Sequence, residues 1–380
     1  MTFTAIGIDL GTTNTVVCGR QGVLTVATVD GVRQSFLPSA VAFPPSGPPL
    51  VGEAARRRRG IDAKNTILSS KRLIGRERGS VAVGEFRARY PHELGELDDA
   101  PAFVTRRGPI SPTKIAAMVL EAALVGADLE PAEVHAIVTV PAGFSGLQRT
   151  ATAAAARGAG IGQAIILDEP IATAVAHGGI VGAHLSAVYD IGGGTFDFAV
   201  VERTEKRARI LAHGGDLFLG GDDLDVALAR SVAANVLATR HWDVTTDVEA
   251  LDRLVAECER AKIRLSSEET TYVDLSAIEP DLPFKNARLP LTRAELVRSC
   301  LDLVRRTFVT CDEVLHAAGI SAHQLDGVYL AGGTTQIPFL RQMVAAYFKR
   351  QPEQKLSPMD VVAVGAYVGA EAAFSQSFTG

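Results

Sequence analysis

Short apolar runs and longer amphipathic segments alternate along the chain. Five runs rich in β-branched residues end abruptly in glycine, proline or an acidic residue: AIGIDLG from Ala5, HAIVTVP from His135, AIILDEP from Ala164, AVYDIGGG from Ala187 and GVYLAGG from Gly327. Such runs predict buried strands with polar loops at their carboxyl ends. Helical periodicity covers 113–124, 148–157, 247–267, 293–318 and 338–349. The alternation of strands and helices predicts an α/β fold.

The clearest helical pattern lies in 247–267, where apolar residues recur at three- and four-residue steps from Val248 to Ala261. Thr246 and Glu249 have the spacing of a capping box, which predicts that Thr246 caps this helix. The stretch 76–112 is rich in glycine, proline and charge and has no periodicity. We predict loops and small strands there, within an inserted subdomain.

One pattern occurs twice. GIDLGTTNTVV from Gly7 is echoed by YDIGGGTFDFAVV from Tyr189. Each copy consists of a strand, an Asp-apolar-Gly step, a turn of small residues and a second apolar strand. The repeat predicts two lobes of similar ancestry: 1–180 with an inserted subdomain at about 35–110, and 181–380 with an inserted subdomain at about 223–305. A ligand between the lobes would meet both turns.

The two turns have the composition of phosphate-binding loops. Their small residues, Gly11-Thr12-Thr13 and Gly192-Gly193-Gly194, allow backbone amides to approach an anion, although either turn alone is compatible with an ordinary hairpin. Asp9, Asp190 and Asp197 lie beside them. A carboxylate would repel phosphate unless a divalent cation lay between them, and Mg²⁺ suits oxygen ligands and retained water. The three acids therefore predict a site for a magnesium–nucleotide complex.

A third turn, AGGTTQIP from Ala331, joins a predicted strand to a helix that begins near Pro338. Gly332 and Gly333 again allow close backbone approach, in this case to a nucleoside. Because Gly-Gly turns are common, this turn is weak evidence when taken alone.

In order along the chain, GIDLGTTNT, YDIGGGTFD and AGGTTQIP resemble the signatures of the actin, hexokinase and heat-shock ATPase superfamily. Five more segments resemble the DnaK-type, seventy-kilodalton heat-shock chaperone family: SSKRLIGR from Ser69, VTVPAGFSGLQRTAT from Val138, ILDEPIATAVAHG from Ile166, FLGGDDLD from Phe218 and CERAKIRLSS from Cys258. The resemblance extends from Thr4 to about Ala373. It implies a two-lobed actin-like ATPase fold of duplicated ribonuclease-H-like domains with inserted subdomains.

The resemblance also implies residue roles. Lys71 would reach the terminal phosphate and the attacking water, and Glu169 would order the waters of the metal. The implied catalytic residues are Lys71, Glu169, Asp190, Thr195 and Asp197. The implied ligands of hydrated Mg²⁺, with accompanying K⁺, are Asp9, Asp190 and Asp197. The implied contacts to ATP or ADP are Gly11, Thr12, Thr13, Asn14, Gly192, Gly193, Gly194, Thr195, Gly220, Gly221, Glu259, Lys262, Ser266, Gly332, Gly333, Thr334 and Gln336.

Four positions depart from the family pattern. Ile263 and Gln336 stand where arginines occur in the family, so weaker binding of the nucleoside is expected. Met359 replaces an acidic residue. The relay between nucleotide and neighbouring domain matches Pro141 and Arg149, but Gly143 replaces the usual aromatic residue.

Composition narrows the function classes. The formal net charge of -5 gives no electrostatic reason to expect nucleic acid. The arginine run 56–59 follows Glu53 and is predicted to be the solvated face of a short helix.

Four cysteines lack both metal-ligand spacing and disulfide-scaffold density, which favours a reducing compartment. No apolar run approaches the roughly 18 residues that cross a bilayer. We expect a cytoplasmic protein, a monomer, without membrane contact.

The family resemblance implies slow ATP hydrolysis, stimulated by a J-domain co-chaperone and a nucleotide-exchange factor. The sequence ends at SQSFTG without the leucine- and aspartate-rich linker or the further strands of a substrate-binding domain. We therefore expect client polypeptides to be bound only through a C-terminal domain that this chain lacks, whether it was trimmed or is naturally short.

The sequence also bears on three other functions. A catalytically weak, nucleotide-dependent regulator or binding module is suggested by Gly143, Ile263, Gln336 and Met359. A small-molecule kinase would need a base for a substrate alcohol, and no motif for one is present. A filament-forming actin relative is disfavoured by the chaperone-like segments.

Overall fold

A computed structural model describes residues 3–178, 184–205, 207–279, 282, 287–353 and 355–375. Its strands are β1 (Thr4–Leu10), β2 (Asn14–Gly19), β3 (Gly22–Val23), β4 (Ala27–Val29), β5 (Val32–Gln34), β6 (Phe36–Pro38), β7 (Val41–Ala42), β8 (Leu50–Val51), β9 (Thr66–Ile67), β10 (Leu94–Leu97), β11 (Ala100–Thr105), β12 (Gly108–Ile110), β13 (Val134–Val140), β14 (Gln163–Asp168), β15 (His184–Ile191), β16 (Phe196–Arg203), β17 (Ala208–Asp216), β18 (Thr270–Asp274), β19 (Arg288–Thr292) and β20 (Gly327–Ala331).

The helices of the described ranges are α1 (Glu53–Arg56), α2 (Val81–Arg89), α3 (Pro112–Gly126), α4 (Gly146–Gly158), α5 (Glu169–Ala176), α6 (Gly221–Arg240), α7 (Val248–Leu265), α8 (Arg293–Ala318), α9 (Pro338–Phe348) and α10 (Val361–Ser375). Every strand and helix predicted from periodicity is present, although α2, α5, α6 and α10 were not predicted as helices. No helix in these ranges combines the length and hydropathy of a bilayer-crossing segment.

Two central sheets share one topology. In the first, the strand order is β14-β13-β1-β2-β3, with β6 also paired to β2. In the second, the order is β17-β16-β15-β20. Each sheet contains an antiparallel hairpin, β1–β2 or β15–β16, whose first strand has a parallel neighbour on its other side, β13 or β20. The duplication predicted from the two sequence copies is therefore confirmed.

Each sheet belongs to its own hydrophobic core. The first core packs β1 and β13 against α3 and α4 through residues such as Ile8, Leu120 and Val138. The second core packs β15 and β16 against α6, α7 and α8 through residues such as Tyr189 and Leu254. We call these two units the first and second lobes.

The C-terminal helix α10 crosses back to the first lobe, where it packs on β1, β13 and α5. Close packing requires glycine, because a Cβ on Gly7 would lie 2.1 Å from the backbone nitrogen of Tyr367. A Cβ on Gly365 would lie 1.8 Å from the carbonyl oxygen of Ala172. The predicted division at residue 181 assigned this helix to the second lobe. That assignment is wrong for α10, since its packing partner is distant in sequence.

Two local predictions are corrected. The cap of α7 is Asp247, whose Oδ1 accepts from the amides of Glu249 at 2.8 Å and Ala250 at 3.2 Å. The hydroxyl of Thr246 instead donates to the carbonyl of Asp243 at 2.9 Å. In 76–112, the predicted small strands are present as the antiparallel sheet β10-β11-β12. That stretch also contains helix α2, which lacks a clear amphipathic period because Gly84 and charged residues interrupt it.

The arginine run divides between surface and interface. Arg57 is exposed and binds Asp30 and Glu53 within the first lobe, as predicted for a solvated face. Arg59 instead binds both carboxylate oxygens of Asp252 on α7, with contacts from 2.6 to 3.1 Å. This ion pair joins the two lobes. The solvated-face prediction is therefore wrong for Arg59.

The cysteines Cys18, Cys258, Cys300 and Cys311 are free and buried.

Candidate functional site

A cleft of about 410 Å³ lies between the lobes. Most of the predicted site residues line it: Asp9, Gly11, Thr12, Thr13, Asn14, Lys71, Glu169, Asp190, Gly192, Gly193, Gly194, Thr195, Glu259, Lys262, Ser266, Gly332, Gly333, Thr334 and Gln336. The other three lie directly behind this lining. Asp197 is opposite Asp190 in the β15–β16 pair. Gly220 and Gly221 pack on Gly193. Residues on both halves of the chain thus converge on one cavity.

The turn Gly192–Gly194 is oriented by its carbonyls. The carbonyl of Gly192 accepts from Gly221 N at 2.9 Å and from Thr334 Oγ1 at 2.8 Å. The carbonyl of Gly193 accepts from Asp222 N at 2.7 Å. Because a trans peptide places its N–H opposite its C=O, the amides of Gly193 and Gly194 lie on the side of the turn away from these bonds, in a turn that lines the cleft. Such a row of amides suits an anion.

The matching turn of the first lobe touches this one. A Cβ on Gly193 would lie 1.9 Å from Thr13 Oγ1, so the contact admits only glycine. Ser39 fixes the first turn by donating from its hydroxyl to Gly11 O and from its amide to Thr13 O, both at 2.8 Å. Thr13 Oγ1 is buried without a protein partner. A phosphate oxygen would satisfy that hydroxyl.

Lys71 is the positive centre of the cleft. It lies in a single 3-10 turn, Ser70–Leu73, and its Nζ donates to Glu169 Oε1 at 2.7 Å. Glu169 is the first residue of α5. Burial by itself would lower the pKa of Lys71, but the carboxylates of Glu169, Asp9 and Asp197 outweigh burial and raise it. Lys71 is therefore an ammonium at neutral pH.

The surrounding aspartates are buried beside one another. Burial, with repulsion from Glu169, raises the pKa of Asp9 and of Asp197 to about 7, although Lys71 opposes both shifts. Burial and the charges of Glu169, Asp197 and Asp9 raise the pKa of Asp190 well above its usual range. One ammonium does not balance four carboxylates. Excess negative charge of this kind is relieved by a bound cation.

The carboxylates fit a hydrated cation better than a bare one. In the part of the chain that the structure describes, no three His, Cys, Asp or Glu side chains are grouped to hold a metal by themselves. Mg²⁺ commonly keeps several waters and takes its remaining ligands from one or two carboxylates and from phosphate. Asp9, Asp190 and Asp197, next to two amide-rich turns, match that donor set.

The α7 side of the cleft contains one buried ion pair and one apolar residue, Ile263, that stands where the family pattern has an arginine. Lys262 is buried, and its Nζ donates to Asp225 Oδ2 at 2.8 Å and to Gly221 O at 2.9 Å. Burial raises the pKa of Asp225 to about 7, while Lys262 opposes the shift. Ile263 is 57% exposed and lines the cleft. Met359 packs on the Gly332–Gly333 turn, since a Cβ on Gly333 would lie 3.7 Å from its Cγ.

Arg72 is a site residue that the sequence reasoning missed. Its side chain is 1% exposed, and its Nη2 donates to Gly194 O at 2.6 Å, which anchors the glycine turn. The guanidinium carbon lies 4.8 Å from the ring centre of Phe218 and 5.4 Å from that of Tyr90. Arg72 directly follows Lys71 in the SSKRLIGR segment, and this position was the sequence feature that could have indicated a role in the site.

The relay residues are close to the cleft. Pro141 lines it, and Arg149 binds Asp168 and the carbonyls of Ala142 and Phe144. A Cβ on Gly143 would lie 3.9 Å from the His213 ring of β17. An imidazole of the second lobe thus lies against the position where the family has an aromatic residue.

These features define a class of protein. Two lobes with duplicated hairpins, amide-rich turns in contact across the cleft, and a buried lysine among carboxylates are the features of the actin-like ATPase fold. The family model described as Hsp70 protein matches residues 5–376 of the chain. The chain belongs to the Hsp70 family, and the match corresponds to the nucleotide-binding domain. Members of this family are ATPases that bind ATP or ADP with Mg²⁺.

Proposed function

We propose that this chain binds ATP in the cleft and hydrolyses it to ADP and phosphate, and that the relative position of the lobes reports which nucleotide is bound. The observation that carries the proposal is the buried Lys71–Glu169 pair at 2.7 Å, placed beside two amide-rich turns and three aspartates. A structural ion pair alone would not require unpaired carboxylates around it. A charged ligand and its counterion would account for them.

The residues of the cleft have three different chemical roles in this proposal. The amides of the Gly11–Thr13 and Gly192–Gly194 turns bind phosphate oxygens, and Thr13 Oγ1 donates to one of them. Lys71 stabilises the negative charge that develops as water attacks the terminal phosphate, and Glu169 orients that ammonium. Asp9, Asp190 and Asp197 hold hydrated Mg²⁺, which neutralises the phosphates when bound. K⁺ is proposed as an accompanying ion.

We further propose the wider role that the family suggests. Hsp70 proteins typically work with J-domain proteins and nucleotide-exchange factors. Hydrolysis by this chain would then be slow alone and accelerated by a J-domain partner. Nucleotide-driven lobe movement would regulate client binding by a domain outside this chain, in the cytoplasm.

Single-turnover cleavage of bound, radiolabelled ATP tests the proposal. With Mg²⁺ and K⁺, we expect the wild type to convert ATP to ADP slowly. Lys71→Ala should bind ATP and cleave it at least about a hundredfold more slowly, the size typical of losing one electrostatic contact to the transition state. Lys114→Ala is the matched control, because Lys114 is exposed on α3. Equal cleavage by wild type and Lys71→Ala would refute the role of Lys71.

The second candidate is a regulator that binds nucleotide without turnover. Ile263 and Gln336, which stand where the family has arginines, and Met359, which stands where it has an acidic residue, favour it, and all three line the cleft. The same assay separates the two functions. ATP that binds and remains intact in both wild type and Lys71→Ala would establish the regulator.

A further inference from the structure

Three side chains of fixed positive charge line the cleft within the described residues: Arg56, Lys71 and Lys262. Two of them are bound in buried ion pairs, Lys71 with Glu169 at 2.7 Å and Lys262 with Asp225 at 2.8 Å. Arg56 differs, because its side chain is 40% exposed. Of these three, it is the one that a ligand can reach without breaking a buried pair, and it also lines the adjoining cavity that contains Arg57, Arg59, Arg253 and Arg260.

Local packing holds Arg56 in place. It is the last residue of α1, and its Nε donates to Glu53 Oε2 at 2.8 Å, one turn earlier. That bond uses Nε and leaves the terminal nitrogens and the flat faces of the guanidinium for other partners. The helix is anchored by Ala55, which is fully buried against Ala40 and Ala42. The guanidinium is thus presented from a firm base on the first lobe.

The second lobe presents a different surface. Ile263 lies on α7, whose buried residues Leu254, Cys258 and Leu265 belong to the second core. Ile263 itself is 57% exposed and lines the cleft together with Glu259 of the same helix. Neither position 263 nor position 336 carries a guanidinium here. The second lobe therefore offers a base an aliphatic face.

We propose that Arg56 contributes to nucleoside binding by packing its guanidinium on the base, from the lobe opposite Ile263. A guanidinium attracts an aromatic face, and every base has such a face, so this contact distinguishes a nucleotide from a bare polyphosphate. This inference rests on the proposed nucleotide-binding function. It has a consequence for regulation, because base recognition then requires both lobes to be in their closed arrangement.

Calorimetric titration of Arg56→Gln tests the inference, with Mg-ATP and Mg-tripolyphosphate as paired probes. We expect Arg56→Gln to weaken ATP binding about 2- to 30-fold, the range for one cation–π contact, and to leave tripolyphosphate binding unchanged. Arg33→Gln is the matched control. Arg33 is an exposed arginine on β5 of the first lobe, its Nε donates to Thr25 Oγ1 at 3.1 Å, and it lines neither the cleft nor the cavity that adjoins it. It should change neither affinity.

Ile263→Arg supplies a second test in the opposite direction. Because it places a guanidinium on α7, we expect it to tighten ATP binding and to reduce the loss caused by Arg56→Gln in the double variant. The inference is overturned if Arg56→Gln binds ATP as tightly as wild type, or if it loses ATP and tripolyphosphate equally. If wild type binds neither probe, the nucleotide-binding function itself fails.

Discussion

Removing the ion pair between Arg59 and Asp252 should accelerate nucleotide release. The guanidinium of Arg59 binds both oxygens of Asp252 through Nε and Nη2, so the contact is bidentate. Arg59 follows α1 on the first lobe and Asp252 lies on α7 of the second. Opening the cleft must therefore break this pair. Arg59→Ala removes it without touching the phosphate turns.

The magnitude follows from the exposure of the pair. Hydrogen bonds to charged groups contribute about 1.5–3 kcal/mol when shielded, whereas exposed pairs contribute about 0–1 kcal/mol. The two side chains are 24% and 16% exposed. An intermediate value of about 1–2 kcal/mol is appropriate. Because only the closed state contains this ion pair, its loss should speed the release of nucleotide about 5- to 30-fold.

Stopped-flow release of a fluorescent ADP measures this effect. Arg59→Ala, Asp252→Ala and the double variant form a cycle whose coupling free energy should equal the contribution of the pair. Arg57→Ala is the control, since Arg57 pairs within the first lobe. The reasoning is refuted if both single variants release ADP at the wild-type rate. It is also refuted if their effects simply add in the double variant.

Two further predictions concern pH and packing. Burial lowers the pKa of His92 from its ordinary value near 6.5 to about 4. Between these two pH values the unfolded chain therefore binds a proton that the native state does not bind. His92 by itself should therefore lower the free energy of unfolding by about 3 kcal/mol between pH 6.5 and 4, against the opposite contribution of the buried aspartates whose pKa is raised. His92→Phe should remove that part in urea titrations, and an unchanged pH dependence would contradict it. Gly193→Ala should weaken Mg-ATP binding in calorimetry by about 5- to 150-fold, since its Cβ would overlap Thr13 Oγ1 and overpacking costs about 1–3 kcal/mol. Gly192→Ala, whose Cβ meets only Thr195 O at 4.0 Å, is the control, and an equal loss would refute the contact argument.

The local parts of the site were predictable from sequence. Asp9, Asp190 and the glycine turns lie at strand ends, where apolar runs stop and small residues begin. The repeated pattern also predicted the duplicated hairpins, because strand, turn and strand are neighbours in the chain. A period of two or of 3.6 residues reports which face of an element is buried. It does not report what that face meets.

The contacts between distant segments were decided by the tertiary structure. Lys71 meets Glu169, Arg72 meets Gly194, Arg59 meets Asp252, and α10 returns to β1. Each contact joins elements that are far apart in sequence, so no local pattern encodes it. For these contacts the sequence shows only that residues of complementary chemistry are present, such as a lysine and an acid that could pair.

The amino-acid sequence therefore determined the elements, the duplication and the residues able to bind a phosphorylated ligand. The tertiary structure alone decided which cations are held in buried ion pairs and which, like Arg56, are exposed to the cleft. The physical reason is that charge and hydrogen-bonding capacity belong to each residue. Their satisfaction depends on the partners that folding brings within about 3 Å.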